Sequence, residues 1–128
     1  MGAMRHARHF TLDEARERLP WVEAKLAALR DARARLTDHE ARQALADGSP
    51  TNGGGLRGKQ VGEAFVELQN GVAEFDRHGI VLRDLDRGLI DFPSLRDGRE
   101  IYLCWIDGES DIGFWHELDA GFAGRRPL

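Results

Sequence analysis

The spacing of apolar residues changes once along this chain, from a helical period to a strand period, and the change falls at Gly79. Before Gly79, apolar side chains recur every three or four residues, which places them on one face of a helix. After Gly79 they tend to recur at every second residue, which is typical of strands. The sequence therefore predicts an α+β protein in which a long antiparallel helical hairpin packs on a small antiparallel sheet of about four strands.

The first helix is predicted to begin at a capping box formed by Thr11 and Glu14, in which each side chain accepts a hydrogen bond from the other residue's backbone N–H. Pro20 falls inside the apolar stripe of this helix. Because proline lacks a backbone N–H and clashes with the preceding turn, we expect a short helix to Leu19, a kink, and a long helix from Pro20 to Ala46. The stripe comprises Leu12, Ala15, Leu19, Val22, Leu26, Leu29 and Leu36.

The second helix is predicted to follow Asp47–Gly58, a segment whose glycines, proline and asparagine indicate a flexible loop. This helix ends at His78, with Gly79 as a left-handed C-cap. We expect its apolar stripe to pack against Leu26 and Leu29 of the first helix in one contiguous core. The stripe comprises Val61, Phe65, Leu68, Val72 and Phe75.

The first strand pair is predicted at Ile80–Leu85 and Leu89–Phe92, because the intervening Asp-Arg-Gly suits a three-residue hairpin loop with glycine in the left-handed position. This register places Arg83 directly opposite Asp91. Opposite charges at facing positions stabilise a strand pair, so we expect these two residues to form an ion pair.

Pro93 is predicted to end its strand, because proline cannot donate to a sheet ladder. The residues that follow, Ser94–Arg99, are predicted to be a polar connection around Asp97-Gly98. A second hairpin is then expected, with strands at Glu100–Ile106 and Ile112–Glu117.

Both faces of the second hairpin are largely apolar. Its register places Tyr102 opposite His116 on one face, and Leu103 opposite Trp115 on the other, where Trp105 also lies. A helical hairpin can cover only one face of a sheet, and a large exposed apolar patch is unusual on a soluble monomer. We therefore expect the second face to be buried by self-association, most simply as a two-fold homodimer. The alternatives are an unknown protein partner on the same face and a tail that wraps further over the sheet.

The 128 residues are expected to form a single domain. Residues 1–10 are predicted to be a loose lead-in, residues 11–79 the helical hairpin, and residues 80–117 the sheet. The tail, residues 118–128, is predicted to be irregular but packed through Phe122.

Composition excludes several classes of protein. No apolar run approaches the roughly 18 residues that span a bilayer, and no secretory signal is apparent, so we expect neither a membrane nor an exported protein. Cys104 is the one cysteine, which fits the reducing cytoplasm. Residues 80–124 carry four basic and ten acidic side chains, and this net negative charge disfavours nucleic acid as a partner.

His116 and Glu117 are the candidate metal ligands, since imidazole and carboxylate groups bind divalent metals such as zinc. Neighbouring residues of a regular strand point to opposite faces, so a site would need Glu117 at a strand end or bulge, or another carboxylate such as Asp91, Glu109 or Asp119. No HExxH or paired CxxC motif occurs. The favoured interpretation is a structural histidine opposite Tyr102, in a protein without a cofactor.

Three further residues are candidates for ligand binding, and each has a structural interpretation as well. Asp91 belongs to an acidic segment that could chelate a cation, although it is better interpreted as the partner of Arg83. Arg125 could bind an anionic ligand or anchor the tail. Trp115 could line a pocket or lie in the core. Cys104 lies among large apolar residues and is predicted to be an inert buried thiol.

Four segments resemble a known family: FTLDEARERLP (10–20), GIVLRDLDRGLIDFP (79–93), LCWIDGE (103–109) and IGFWHELDAGFAGRRPL (112–128). They are similar to the bacterial family catalogued as domain of unknown function 2203. That resemblance implies no catalytic residues, since the family has no assigned activity.

The lack of any compact catalytic motif and the long helical pair together predict a non-catalytic cytoplasmic binding or assembly module that self-associates. The alternative is a metal-binding protein, or a metal-dependent enzyme, with its site around His116 and Glu117.

Overall fold

The structure, a computed structural model, describes residues 4–45 and 55–128. Within these residues lie two α-helices and a five-stranded antiparallel sheet, which confirms the predicted α+β class with one strand more than expected. The helices are α1 (Leu12–Leu45) and α2 (Gly55–Arg77). The strands lie side by side in the order of the sequence: β1 (Val81–Asp84), β2 (Leu89–Arg96), β3 (Arg99–Ile106), β4 (Phe114–Glu117) and β5 (Arg126–Pro127).

The capping box at the start of α1 is confirmed. The backbone N–H of Thr11 donates to Glu14 Oε1 at 2.8 Å, and the N–H of Glu14 donates to Thr11 Oγ1 at 3.1 Å. The predicted break before Pro20 is wrong, because α1 runs through this residue as one helix. Leu19 and Val22 are buried on either side of it, so the core contacts keep the helix in phase despite the lost hydrogen bond. The predicted helix end at Ala46 lies outside the described residues.

α2 begins at Gly55, inside the segment predicted as a loop, and residues 46–54 lie outside the described part of the chain. The other end of α2 is as predicted. Gly79 has φ 73°, the N–H of Ile80 donates to Phe75 O, and the N–H of Gly79 donates to Asp76 O, both at 3.0 Å. This pair of hydrogen bonds is a Schellman motif, which satisfies the last carbonyl groups of the helix.

The two helices run antiparallel. Lys25 of α1 pairs with Glu74 of α2, whereas Arg35, later in α1, pairs with Glu67, earlier in α2. Neither described helix has the length and apolar character needed to span a bilayer.

The buried face of α2 differs from the predicted stripe. Ala64 and Gly71 are buried against α1, whereas Phe65 and Val72 are exposed, at 51% and 47% of their surface. The cause is a close helix contact at Gly71, where a Cβ atom would lie 2.2 Å from Leu29 Cδ2. Small residues allow two helices to approach closely. With Ala64 and Gly71 facing α1, the side chains of Phe65 and Val72 point away from the core.

The pairing of β1 with β2 differs from the predicted register by two residues. Val81, and not Arg83, lies opposite Asp91, and the ladder is irregular between Leu82 and Asp84. Because the side-chain period of a strand is two, a slip of two residues leaves Arg83 and Asp91 on the same face. The expected ion pair is therefore present, with Arg83 Nε 2.9 Å from Asp91 Oδ2.

The prediction that Ser94–Arg99 forms a polar connection is wrong. β2 continues to Arg96 and returns directly as β3 through Asp97 and Gly98, which have φ values of 54° and 78°. Positive φ at both positions is the signature of a two-residue type I′ hairpin turn.

Pro93 lies inside β2 and does not end it. Its carbonyl accepts a hydrogen bond of 2.7 Å from the N–H of Phe10, which lies where β1 no longer pairs with β2. The amide nitrogen and carbonyl of one strand residue point to the same side, so the absent N–H of Pro93 faces Phe10 and removes no bond to β3.

The predicted pairing of the second hairpin is confirmed, with Tyr102 opposite His116 and Leu103 opposite Trp115. β4 starts at Phe114, two residues later than expected. The tail is more regular than predicted, since it adds β5, in which Arg126 pairs with Trp115.

One sheet face carries Trp105 and Trp115 and packs in a common hydrophobic core with α1 and α2. The opposite face carries Tyr102 and His116, and both are also buried. The expectation of a dimer depended on an uncovered apolar sheet face that bears the tryptophans. Among the described residues, both tryptophans are covered within the chain itself.

Residues 5–10 do not fit the description of a loose lead-in. Phe10 is buried in the core, and the backbone N–H groups of Arg5 and His6 donate to the Glu100 carboxylate at 2.7 and 2.9 Å. This N-terminal arm, residues 5–10, lies along one end of the sheet and helps to cover the face that carries Tyr102.

Candidate metal centre

Three neighbouring strands place Asp91, Cys104 and His116 side by side on the sheet face opposite the helices. Asp91 of β2 lies directly opposite Cys104 of β3, and His116 of β4 lies opposite Tyr102, two residues away on the same face of β3. One potential ligand atom from each of the three lies within 4.8 Å of the other two. Their exposed fractions are 2%, 0% and 1%, so the cluster is enclosed by protein.

Both ring nitrogens of His116 face hydrogen-bond acceptors. Nδ1 lies 2.7 Å from the backbone carbonyl oxygen of Glu117, and Nε2 lies 3.0 Å from Asp91 Oδ1. A neutral imidazole carries one N–H, so a hydrogen on Nδ1 leaves the Nε2 lone pair directed at a carboxylate oxygen. A cation shared between Nε2 and Oδ1, either a proton or a metal ion, removes the repulsion between these electron pairs.

The second oxygen of Asp91 is held by Arg83, whose Nε donates to Oδ2 at 2.9 Å. The guanidinium carbon of Arg83 also lies 4.9 Å from the centre of the Tyr102 ring. These contacts leave Asp91 Oδ1 directed at His116 while Oδ2 is neutralised by a permanent positive charge.

Cys104 does not have the surroundings of a nucleophile. Burial raises the pKa of its thiol to about 12, and the neighbouring Asp91 carboxylate contributes to the rise. A cysteine nucleophile needs a thiolate and an adjacent base, but both nitrogens of His116 are engaged by other groups. A bound metal ion would instead displace the thiol proton and use the sulfur as a ligand.

The dimensions of the cluster suit a transition metal. Zinc binds nitrogen, oxygen and sulfur ligands at about 2.0–2.3 Å, so two ligands of a tetrahedral site lie roughly 3.3–3.7 Å apart. In the cluster, His116 Nε2 lies 3.0 Å from Asp91 Oδ1, and no two of the three potential ligand atoms are more than 4.8 Å apart. The ligand–ligand distances of a zinc site fall between these two values. The carbonyl of Glu117 on Nδ1 is the kind of contact that orients a metal-binding histidine.

The structure brings together two of the residues predicted as ligands, Asp91 and His116, and leaves the others elsewhere. The Glu117 carboxylate bonds to Arg99 at 2.7 Å, so this residue offers only its backbone carbonyl to His116. Trp115 lies in the core on the helical side of the sheet. Arg125 bonds to the Glu109 carboxylate at 2.7 and 3.0 Å.

Cys104 is the member of the cluster that sequence reasoning missed, and the missing signal was the turn at Asp97-Gly98. A two-residue hairpin there pairs Arg96 with Arg99 and, counting back along both strands, Asp91 with Cys104. The predicted pairing of β3 with β4 already placed Cys104 and His116 on one face.

The tail closes over the cluster and is held by stacked aromatic and cationic groups. The Arg125 guanidinium lies 3.8 Å from the ring centre of Phe114 and 4.8 Å from that of Phe122. Arg87 lies 4.8 Å from the Phe122 ring as well. These cation–π contacts, together with the Arg125–Glu109 ion pair, fix residues 118–125 against the sheet.

A cleft of about 250 Å³ lies between the tail and the sheet. Asp91, His116 and Arg83 form its polar side, and the apolar side includes Leu89 and Phe122. Cys104 does not line the cleft, so the cluster adjoins the cleft through Asp91 and His116 only.

The N-terminal arm is attached to the same sheet face by a second polar group. Glu100 accepts bonds from two backbone N–H groups of the arm and from His9 Nε2 at 2.8 Å. Burial acts to raise the pKa of Glu100, but these hydrogen bonds outweigh it and lower the pKa to about 2. His6 Nε2 lies 2.6 Å from the Tyr102 hydroxyl, which links the arm to the neighbour of His116.

The fold and the buried cluster define a small α+β protein with a candidate metal centre between its sheet and its tail. Residues 8–128 match the family described as "Uncharacterized conserved protein (DUF2203)", and the chain belongs to that family, as the resemblance of its sequence segments indicated. No curated protein and no solved structure matches the chain.

Proposed function

We propose that this protein binds one divalent transition-metal ion, such as zinc, through Asp91, Cys104 and His116. The observation that carries the proposal is the convergence of a carboxylate oxygen, a thiol sulfur and an imidazole nitrogen within 4.8 Å in a fully buried position. Such a set joins the three side-chain types that bind zinc in proteins.

A purely structural role explains less of this arrangement. A buried Asp91–His116 pair loses solvation that its own attraction rarely repays, and in such a pair the Cys104 thiol adds only a weak hydrogen bond to Asp91. A metal ion accounts for all three side chains together. It also accounts for the backbone carbonyl on the far ring nitrogen of His116.

The ligand types select among metals. Thiolate and imidazole ligands favour zinc and related transition metals, whereas magnesium and calcium prefer sites made entirely of oxygen ligands. Structural zinc sites usually have four protein ligands, and sites that act on small molecules have three and an open position. Three ligands beside a cleft therefore favour a site that admits a further ligand.

The test is the metal content of the purified protein after exposure to zinc and removal of the excess. We expect about one zinc per wild-type chain, and far less in Cys104→Ala and His116→Ala. Glu117→Gln is the matched control, because its carboxylate lies outside the cluster although it adjoins His116. Wild type without stoichiometric zinc, or equal zinc in wild type and Cys104→Ala, would contradict the proposal.

We further propose that this protein self-associates with a second copy of its chain through α2, and not through the tryptophan face. Phe65 and Val72 are exposed and lie seven residues apart, which places them on one side of the helix. Light scattering should then give twice the 14.3 kDa chain mass, and Phe65→Asp should restore the single mass. Leu95→Asp, at an equally exposed position in β2, should leave the mass unchanged.

A further inference from the structure

We propose that the metal centre takes a small, singly charged carboxylate as its ligand, with one oxygen on the metal and the other on the guanidinium of Arg83. This inference rests on the proposed metal-binding function and adds to it the chemical class of the ligand. It is carried by the position of Arg83 relative to Asp91, His116 and the cleft.

The cleft limits the ligand to a small molecule. Its volume of about 250 Å³ lies below the roughly 300–1,000 Å³ that is typical of pockets for drug-sized ligands. Asp91 and His116 line it, so a ligand in the cleft would lie beside the two residues that are proposed to hold the metal. Leu118 and Phe122 also line the cleft and give it an apolar side.

Arg83 supplies a second positive group on the same wall. Its Nε is used by Asp91, but its terminal nitrogens have no hydrogen-bond acceptor among the described residues. The side chain is 42% exposed and lines the cleft. A guanidinium presents several N–H groups in one plane, which suits the two oxygens of a carboxylate.

The charges at the site favour a monoanion. Asp91 and the thiolate of Cys104 together balance a divalent metal ion, and Arg83 then leaves one positive charge beside the cleft. Asp119 also lines the cleft, but its side chain is 89% exposed and faces Arg5 at 3.1 Å, so solvent and this arginine screen its charge. One negative charge on the ligand completes the balance.

The experiment uses cobalt(II) as the probe metal, because it accepts the same ligands as zinc and its visible absorption responds to the coordinating atoms. Cobalt-saturated protein is titrated with acetate. We expect a saturable spectral change in wild type and at least a tenfold weaker acetate affinity in Arg83→Gln, with Arg83→Lys between them. Arg96→Gln removes the same charge on the other side of the sheet and should match wild type.

The outcomes separate the two proposals. Absence of a cobalt spectrum with thiolate character in wild type overturns both the metal centre and this inference. A normal cobalt spectrum without a saturable response to acetate overturns only the inference. The inference alone is also overturned if Arg83→Gln weakens cobalt binding but leaves acetate affinity equal to that of wild type. Arg83 would then act only by positioning Asp91.

Discussion

His116 Nε2 and Asp91 Oδ1 lie 3.0 Å apart although their strands are not neighbours, since β2 and β4 each pair with β3 and not with one another. Adjacent strands are about 4.8 Å apart, so the two side chains reach toward each other across β3. Cys104 of β3 lies directly opposite Asp91, and Tyr102, two residues away on the same face of β3, lies opposite His116. The pair and the thiol form one compact group, because one potential ligand atom from each of the three residues lies within 4.8 Å of the other two.

The close contact between the helices predicts opposite effects for two glycines of α2. Gly71→Ala would place a methyl group 2.2 Å from Leu29 Cδ2, so the buried Leu29 side chain would have to shift. We expect this substitution to lower the free energy of unfolding by about 1–3 kcal/mol relative to wild type. A Cβ at Gly62 meets nothing within 4 Å, so Gly62→Ala should raise stability by about 0.5–1 kcal/mol. Urea denaturation measures both changes, and equal stability of the two variants would exclude the close contact.

The orientation of α2 predicts which of two phenylalanines matters for folding. Phe75 is buried and belongs to the core, whereas Phe65 is half exposed. Phe75→Ala should cost about 3–5 kcal/mol of unfolding free energy, and Phe65→Ala less than about 1 kcal/mol. The comparison is made by denaturation at a concentration where the protein is monomeric. A larger loss of unfolding free energy in Phe65→Ala than in Phe75→Ala would contradict this orientation. It would support the apolar stripe predicted from the sequence, in which Phe65 packs against α1.

The depressed pKa of Glu100 predicts a pH-dependent contribution of the N-terminal arm. The folded-state pKa of Glu100 is about 2 and the ordinary value is 4.5, so the stabilisation is complete above the ordinary pKa and is lost as pH falls from there through 2. Glu100→Gln should therefore cost about 1–3 kcal/mol at pH 5 and progressively less toward pH 2. Urea denaturation of both proteins across this range checks it, and a difference that does not shrink with falling pH would contradict the assignment.

The stacked groups of the tail predict that Arg125 and Arg126 are not equivalent. Arg125 is packed against Phe114 and bonded to Glu109, and its Nε is buried without a partner among the described residues. Arg125→Met should loosen the tail, so that hydrogen exchange at the Leu128 amide, which bonds to the Gly113 carbonyl, becomes at least tenfold faster.

Arg126→Met is the control for that measurement, because Arg126 is exposed and only its ring contact with Trp115, at 5.4 Å, is lost. Exchange at Leu128 should stay close to the wild-type rate in this variant. Equal acceleration in both variants would mean that Arg125 does not anchor the tail.

The features that could be predicted from the sequence are those whose causes lie within a few residues. The capping box at Thr11, the left-handed Gly79 and the pairing of Tyr102 with His116 each depend on a local motif or on a hairpin with a short loop. The features that could not be predicted depend on distant partners. The face that α2 buries is set by Leu29, and Pro93 is accommodated in β2 because Phe10 supplies the hydrogen bond on that side.

Part of the candidate site could be predicted from the sequence. The predicted hairpin placed Cys104 and His116 on one face. The predicted ion pair of Arg83 with Asp91 is present although the observed strand register differs from the predicted one by two residues. The convergence of all three side chains requires β2 to pair with β3, which the Asp97-Gly98 turn establishes. The side-chain contacts that follow, such as the one between Nε2 and Oδ1, depend on the packing of the tail over the sheet.

The most direct test of the account is a diffraction experiment on zinc-loaded crystals with data collected on both sides of the zinc absorption edge. The metal-centre account predicts one strong anomalous peak at about 2.0–2.3 Å from a carboxylate oxygen of Asp91, the sulfur of Cys104 and Nε2 of His116. Absence of a peak there in a well-ordered zinc-loaded crystal, or peaks confined to surface groups such as His78, would contradict it.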